Sequence, residues 1–177
     1  MSLTKIRTAV LSCSLLALIA CMDDSQPDYG VASLERATLL YASTVDLDGL
    51  EHEMAEWIGQ QPTVVNFWSL GCGYCRTETV EFVSLYHMYR KKDVEIVGLA
   101  VGGDPASVQA REQVREFADQ YGAEWVQLMA NQPVSDVFGY EGRIPLTLFF
   151  DDKGKLVRVI RGLADHDLYV ESFEKIL

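Results

Sequence analysis

Cys72-Gly73-Tyr74-Cys75 holds the residues of this chain best suited to do chemistry. The segment follows the apolar run Thr63-Val64-Val65-Asn66-Phe67-Trp68 and opens a helical pattern that runs to Arg90. A Cys-x-x-Cys pair where a strand hands over to a helix reads as a dithiol that cycles with a disulfide. The spacing puts both sulfurs within bonding reach, and the partial positive charge of a helix N-terminus stabilises a thiolate at the first cysteine. The thiolate is the attacking species in thiol–disulfide exchange, so this placement makes Cys72 a nucleophile at neutral pH. Two other readings compete. A structural staple gains little here, because so small a loop removes little unfolded-state entropy. Half of a zinc site has the same spacing, but a structural site needs four ligands. No second Cys-x-x-Cys pair exists, and His52, His87 and His166 are scattered without paired spacing, so no metal is expected.

The remaining cysteines, Cys13 and Cys21, lie near the N-terminus. Lys5 and Arg7 precede an apolar stretch from Ala9 to Ala20, the layout of an export signal. The stretch is too short, and too soon followed by Asp23 and Asp24, for a membrane span. Leu18-Ile19-Ala20-Cys21 resembles the bacterial lipobox. That resemblance implies a signal peptide over residues 1–20, cleavage before Cys21, lipid on the Cys21 sulfur and loss of Cys13. An uncleaved anchor or an ordinary signal peptide is the alternative. In each case the rest of the chain lies outside the cytoplasm, where Cys72 and Cys75 meet an oxidising compartment. The balance is acidic, with 15 Lys+Arg against 26 Asp+Glu and a formal net charge of −11. Such a surface argues against nucleic acid and against a basic patch for anionic lipid.

Positioning the cysteine pair requires one domain, expected over residues 46–177 behind a lipidated tether and lead-in over 21–45. The tether is polar from Met22 to Ala32, and Ser33 to Ala42 reads as a short helix or irregular lead-in. Leu50, Met54, Trp57 and Ile58 share a helical face, which predicts a helix over 50–58. Thr63 to Trp68 reads as a buried strand. The helix over 72–90 offers Val80, Val83, Leu85, Tyr86 and Met88 to the core. A second strand follows over 94–101. A helix over 107–121 uses Val108, Val114 and Phe117, and a short strand spans 125–130. A helical turn follows over 135–140. Strands over 146–150 and 156–161 form a hairpin around Asp151-Asp152-Lys153-Gly154. A closing helix over 165–177 turns Leu168, Val170, Phe173 and Ile176 inward. This order implies an α/β domain with a mixed central sheet and helices on both faces.

The order also resembles the thioredoxin fold, and the segment Asn66 to Glu78 is similar to the active-site segment of the membrane-anchored TlpA/ResA-type thioredoxins. Gly142-Arg143-Ile144-Pro145 followed by Leu146 to Phe150 resembles that family's cis-proline segment. The resemblance implies a thiol–disulfide oxidoreductase with no cofactor beyond a redox-active Cys72–Cys75 disulfide. Cys72 would attack, Cys75 would resolve, and Pro145 would be cis and pack on the disulfide, leaving the Ile144 backbone to pair with an extended substrate. Trp68 would lie under the active-site loop, and Gly73 and Tyr74 would tune thiolate stability. Glu78, about one helical turn after Cys75, occupies the position of a family glutamate that takes the Cys75 proton. Asn66 stands where thioredoxin has a buried aspartate. The chain departs from the family at Gly71, Tyr74 and Val80, where tryptophan or proline is usual. Cys-Gly-Tyr-Cys is also the motif of DsbC-type isomerases, whereas Ile144 is thioredoxin-like. The expected function is therefore reduction of disulfides in cysteine-containing exported proteins, by a periplasm-facing lipoprotein of the bacterial envelope, inner or outer membrane left open. A membrane thiol relay would donate electrons. An isomerase or oxidase, or a non-catalytic binding module, is the alternative.

Overall fold

The computed structural model describes residues 42–177, so the expected signal peptide, Cys21 and most of the tether and lead-in lie outside the described residues. Among the described residues seven strands form one sheet: β1 (Ser43–Asp46), β2 (Glu51–Glu53), β3 (Thr63–Trp68), β4 (Glu95–Ala100), β5 (Val126–Met129), β6 (Leu146–Phe150) and β7 (Leu156–Arg161). Their order across the sheet is β2-β1-β5-β4-β3-β6-β7. The helices are α1 (Gly73–Tyr89), α2 (Val108–Tyr121), α3 (Gln132–Val137) and α4 (His166–Lys175). β3, β4 and β5 run parallel, and β6 returns antiparallel to β3, so the sheet is mixed.

The parallel strands dictate where the helices go. Right-handed crossovers from β3 to β4 and from β4 to β5, both stepping in the same direction, put α1 and α2 on one face. Strand alternation supplies that face with Val64, Ile96, Phe149 and Ile160, which pack against Phe82, Leu85, Tyr86 and Tyr89 of α1 and Tyr169 and Phe173 of α4. The opposite face carries Val65, Phe67, Val97, Leu99, Leu128 and Leu148, covered by Met54, Val134 and Phe138. β3, buried along its whole length and flanked by β4 and β6, is the axis of the fold.

Several expectations fail for identifiable reasons. No helix forms over 50–58. The Asp46 carboxylate accepts the N–H groups of Asp48 (2.9 Å) and Leu50 (2.8 Å), Gly49 supplies φ 85°, and the chain turns back as β2. Glu53 and Glu56 then form a capping box that closes one 3-10 turn, Met54–Glu56, and Leu50 is left exposed. β1 starts ahead of residue 46, the expected domain start, and the β1–β2 hairpin has no counterpart in the expected order. α3 begins earlier than expected because Asn131 caps it through the Val134 N–H. In α1 the buried stripe is Cys75, Glu78, Thr79, Phe82, Leu85, Tyr86 and Tyr89, so Val80 and Met88 face outward. Val108 is exposed on the first turn of α2. In α4 Tyr169, Ser172 and Phe173 are buried, whereas Leu168 and Val170 are half-buried.

Candidate active site

The chain leaves the carboxyl end of β3 at Trp68 and enters α1 through the loop 69–72. Cys72 is the N-cap, with extended backbone, and its Sγ accepts the Cys75 N–H at 3.1 Å. A sulfur at this position answers one of the helix's unpaired N–H groups and sits in the positive end of its dipole. Cys72 and Cys75 are joined as a disulfide with Cα atoms 5.2 Å apart. Cys72 is half-buried and Cys75 is 1% exposed, so an incoming reagent meets Cys72 first. Arg76 Nη1 donates to the Leu70 carbonyl at 3.1 Å and ties the loop to the helix. Tyr74 is exposed, and a Cβ on Gly71 would meet no atom within 4 Å. The mouth of the site is open on that side. The Ile144–Pro145 peptide is cis, and the Pro145 carbonyl accepts the Gly162 N–H at 2.8 Å. Ile144 packs on the same cluster as Trp68, Cys72 and Cys75, so the proline loop adjoins the disulfide.

Beneath the disulfide a polar row crosses an otherwise apolar sheet face. Thr147 on β6 lies opposite Asn66 on β3, Asn66 opposite Gly98 on β4, and Gly98 opposite Gln127 on β5. Glu78, projecting from α1, is 1% exposed and is met by donors from this row. Asn66 Nδ2 donates to Glu78 Oε2 at 2.8 Å, and Thr147 Oγ1 donates to Glu78 Oε1 at 2.9 Å. The Tyr169 hydroxyl, from α4, donates to the same Oε1 at 2.7 Å. Burial pushes the Glu78 carboxyl above the usual carboxylate range, against the pull of these three hydrogen bonds. Burial and the adjoining Glu78 charge push the Tyr169 phenol well above its ordinary range.

The other end of the row holds Trp68, whose Nε1 donates to Gln127 Oε1 at 3.1 Å while its ring stacks on Phe117 at 4.5 Å. Gly98 makes this possible: a Cβ there would collide with Gln127 Oε1. Gly98→Ala is expected to push Gln127 off Trp68 and leave a buried indole N–H unpaired. The cost should be about 1–3 kcal/mol in urea unfolding. A loss below about 0.5 kcal/mol would show that Gln127 re-pairs without strain.

The structure thus brings Cys72, Cys75, Trp68 and Ile144 into one cluster, with Pro145 cis after Ile144, Gly73 and Tyr74 on the outer turn of the helix and Glu78 buried one turn below. Thr147, Tyr169 and Gln127 escape the sequence reading. The signal available for the first and last is a hydrophilic side chain in a strand buried on both sides. For Tyr169 it is a hydroxyl on the inward face of the closing helix.

The sequence profile described as the AhpC/TSA family matches residues 34–159. The chain belongs to this family, which is thioredoxin-like. Among known proteins, it is 30% identical over 133 residues to the thiol-disulfide oxidoreductase ResA of Geobacillus kaustophilus, covering 73% of this chain and 72% of that protein. It is 29% identical over 132 residues to ResA of Geobacillus thermodenitrificans, covering 74% of this chain and 71% of that one. Among solved structures, MTB DsbF in mixed oxidised and reduced forms superposes with TM-score 0.65 at 26% identity, covering 79% of this chain and 98% of that chain. A secreted Mycobacterium tuberculosis disulfide oxidoreductase homologous to E. coli DsbE superposes with TM-score 0.66 at 17% identity, over 79% of this chain and 98% of that one, a likeness of fold. This AhpC/TSA member has the thioredoxin-like fold and is a thiol–disulfide oxidoreductase, so its partners carry thiols or disulfides.

Proposed function

We propose that the protein works outside the cytoplasm as a reductase of disulfides in exported, cysteine-containing proteins, anchored by lipid on Cys21. The observation that carries the catalytic reading is the pairing of a half-exposed N-cap sulfur with a buried second sulfur one helical turn from a buried carboxylate. In the dithiol form, the Cys72 thiolate attacks one sulfur of the client disulfide. A mixed disulfide forms and the client's other sulfur leaves as a thiolate that takes up a proton. Glu78 then accepts the Cys75 proton, and Cys75 attacks Cys72 Sγ. The client leaves with two thiols, and Cys72–Cys75 is a disulfide again. Two electrons have moved from the protein to the client. A dithiol donor, supplied by a membrane thiol relay, must return them. Ile144 and Trp68 pack in the cluster that holds both cysteines, and the cis Pro145 that follows Ile144 would leave the Ile144 backbone to pair with the client. Gly73 and Tyr74, between the cysteines, tune the stability of the Cys72 thiolate. The anchoring part rests on the Lys5-to-Cys21 pattern, outside the described residues.

The Gly73-Tyr74 pair favours a second reading, an isomerase or oxidase, because the residues between the cysteines set thiolate stability and hence potential. Equilibration in thiol–disulfide buffers, with alkylation and mass spectrometry of Cys72 and Cys75, separates the two. A midpoint near thioredoxin's, about −270 mV, supports the reductase. A strongly oxidising value, near about −120 mV, overturns it. A pair that never cycles would identify a binding module with a permanent disulfide.

A further inference from the structure

Every donor around Glu78 is held by a second partner. Asn66 Nδ2 spends both hydrogens, one on Glu78 Oε2 and one on Thr147 Oγ1 at 3.0 Å. Thr147 accepts from Asn66, so its own hydrogen points to Glu78 Oε1. Tyr169 accepts the Ala164 N–H at 3.1 Å, so its hydrogen also points to Oε1. An ionised carboxylate only accepts hydrogen bonds, whereas the protonated acid brings a hydrogen of its own. Oε1 accepts two hydrogens and Oε2 one, so donors that favour the charged form fill three of the carboxylate's four acceptor sites. Asn66 and Thr147 face each other across β3 and β6 and hold one another. Tyr169 reaches in from α4, with its ring fixed edge-on against Phe82 at 5.1 Å.

We propose that Tyr169 is a positioning residue for Glu78, its hydroxyl holding that side chain in the charged form that accepts the Cys75 proton. The proposal rests on the role given to Glu78 above and adds the closing helix to the machinery. It explains why a tyrosine, and not another apolar residue, fills a fully buried place in α4. The groups that bear on Glu78 are Cys75 on its own helix, Asn66 on β3, Thr147 on β6 and Tyr169 on α4. Glu81, also on α1, acts on Tyr169 by its charge and is itself paired with His166 at the start of α4.

Tyr169→Phe keeps the ring and removes the hydroxyl. The step to follow is resolution. Cys72 of the reduced protein attacks an activated diaryl disulfide, forming a mixed disulfide and expelling one aryl thiol, and release of the second aryl thiol by Cys75 is timed from pH 5 to 9. A hydrogen bond to a charged acceptor lowers an acid's pKa, so its loss should move the acid limb of this profile upward by about one to two pH units. The rate at high pH should stay within about twofold of the native rate. A profile that superimposes on the native one overturns the proposal. Glu78→Gln separates the two levels. If the native acid limb persists in that variant, the role of Glu78 itself fails. If the native midpoint is lost there but Tyr169→Phe leaves it in place, only the positioning role fails. Should Tyr169→Phe not fold, the native protein decides, with 13C label at the tyrosine ring carbon that bears the hydroxyl. The Tyr169 resonance should titrate with the midpoint of the acid limb and lose that response in Glu78→Gln. A resonance that stays flat through the limb overturns the proposal.

Discussion

A Cys75→Ala variant accumulates covalent adducts with client polypeptides, all joined through Cys72. In the native protein the mixed disulfide is short-lived because Cys75 is held next to Cys72 on the first turn of α1, with Cα atoms 5.2 Å apart. An attacking group fixed at that range acts at an effective concentration of order 10⁵ M or more, which no thiol in solution matches. Removing it should lengthen the life of the adduct by about a thousandfold or more. The alanine costs little folding: the site is buried, but the lost sulfur is small and Trp68, Met129 and Val114 surround it. Non-reducing gels with mass spectrometry of the captured species provide the readout. Cys72→Ala should capture nothing, because Cys75 is 1% exposed and a client disulfide cannot reach it. Equal capture by the two variants would sink the assignment of Cys72 as the attacking sulfur. Clients drawn mainly from the cytoplasm would sink the extracytoplasmic reading.

The dithiol was legible because its signal is local. The apolar run of β3, the cysteine spacing and the start of α1 follow one another along the chain, and each agrees with the structure. The β6–β7 hairpin was legible for the same reason: Asp151 and Gly154 close a short turn between two apolar runs. The β1–β2 hairpin was not. Leu50, Met54, Trp57 and Ile58 have helical spacing, but the Asp46 side chain captures the turn and the sheet edge offers β1 a partner in β5. Long-range pairing outweighed a local pattern there. The polar row under α1 shows the other limit. Asn66, Gly98, Gln127 and Thr147 come from four strands, and only the register between those strands makes them neighbours. Glu78 could be singled out by its place one turn after Cys75. That Tyr169 meets it from 91 residues away could not, since nothing in the spacing links α4 to α1.

Glu78→Gln should slow resolution by about a hundredfold near neutral pH, while leaving the first attack by Cys72 nearly unchanged. Gln keeps the size of the side chain and retains an oxygen for Tyr169. Its new amide faces Asn66, whose own amide can flip to accept both from it and from the Thr147 hydroxyl, which turns from Glu78 to Asn66, so the variant is expected to fold. What it loses is the ability to take a proton. Resolution must then wait for hydroxide, and its rate should rise about tenfold per pH unit until Cys75 itself ionises. Stability carries an independent signature. Burial raises the Glu78 pKa above its ordinary value of 4.5, so the native state binds that proton more readily than the unfolded chain does. The stability linked to this group is therefore fully present below the ordinary value. It is lost as pH climbs from there through the raised native value. Urea midpoints of the native protein should fall across that window, and the Glu78→Gln midpoints should not share the fall. The two readouts depend on one proton. A variant that resolves at the native rate would show that Cys75 gives its proton elsewhere. Native stability that rises with pH across the same range would show that the donors of Asn66, Thr147 and Tyr169 outweigh burial and that Glu78 is an ordinary ionised carboxylate.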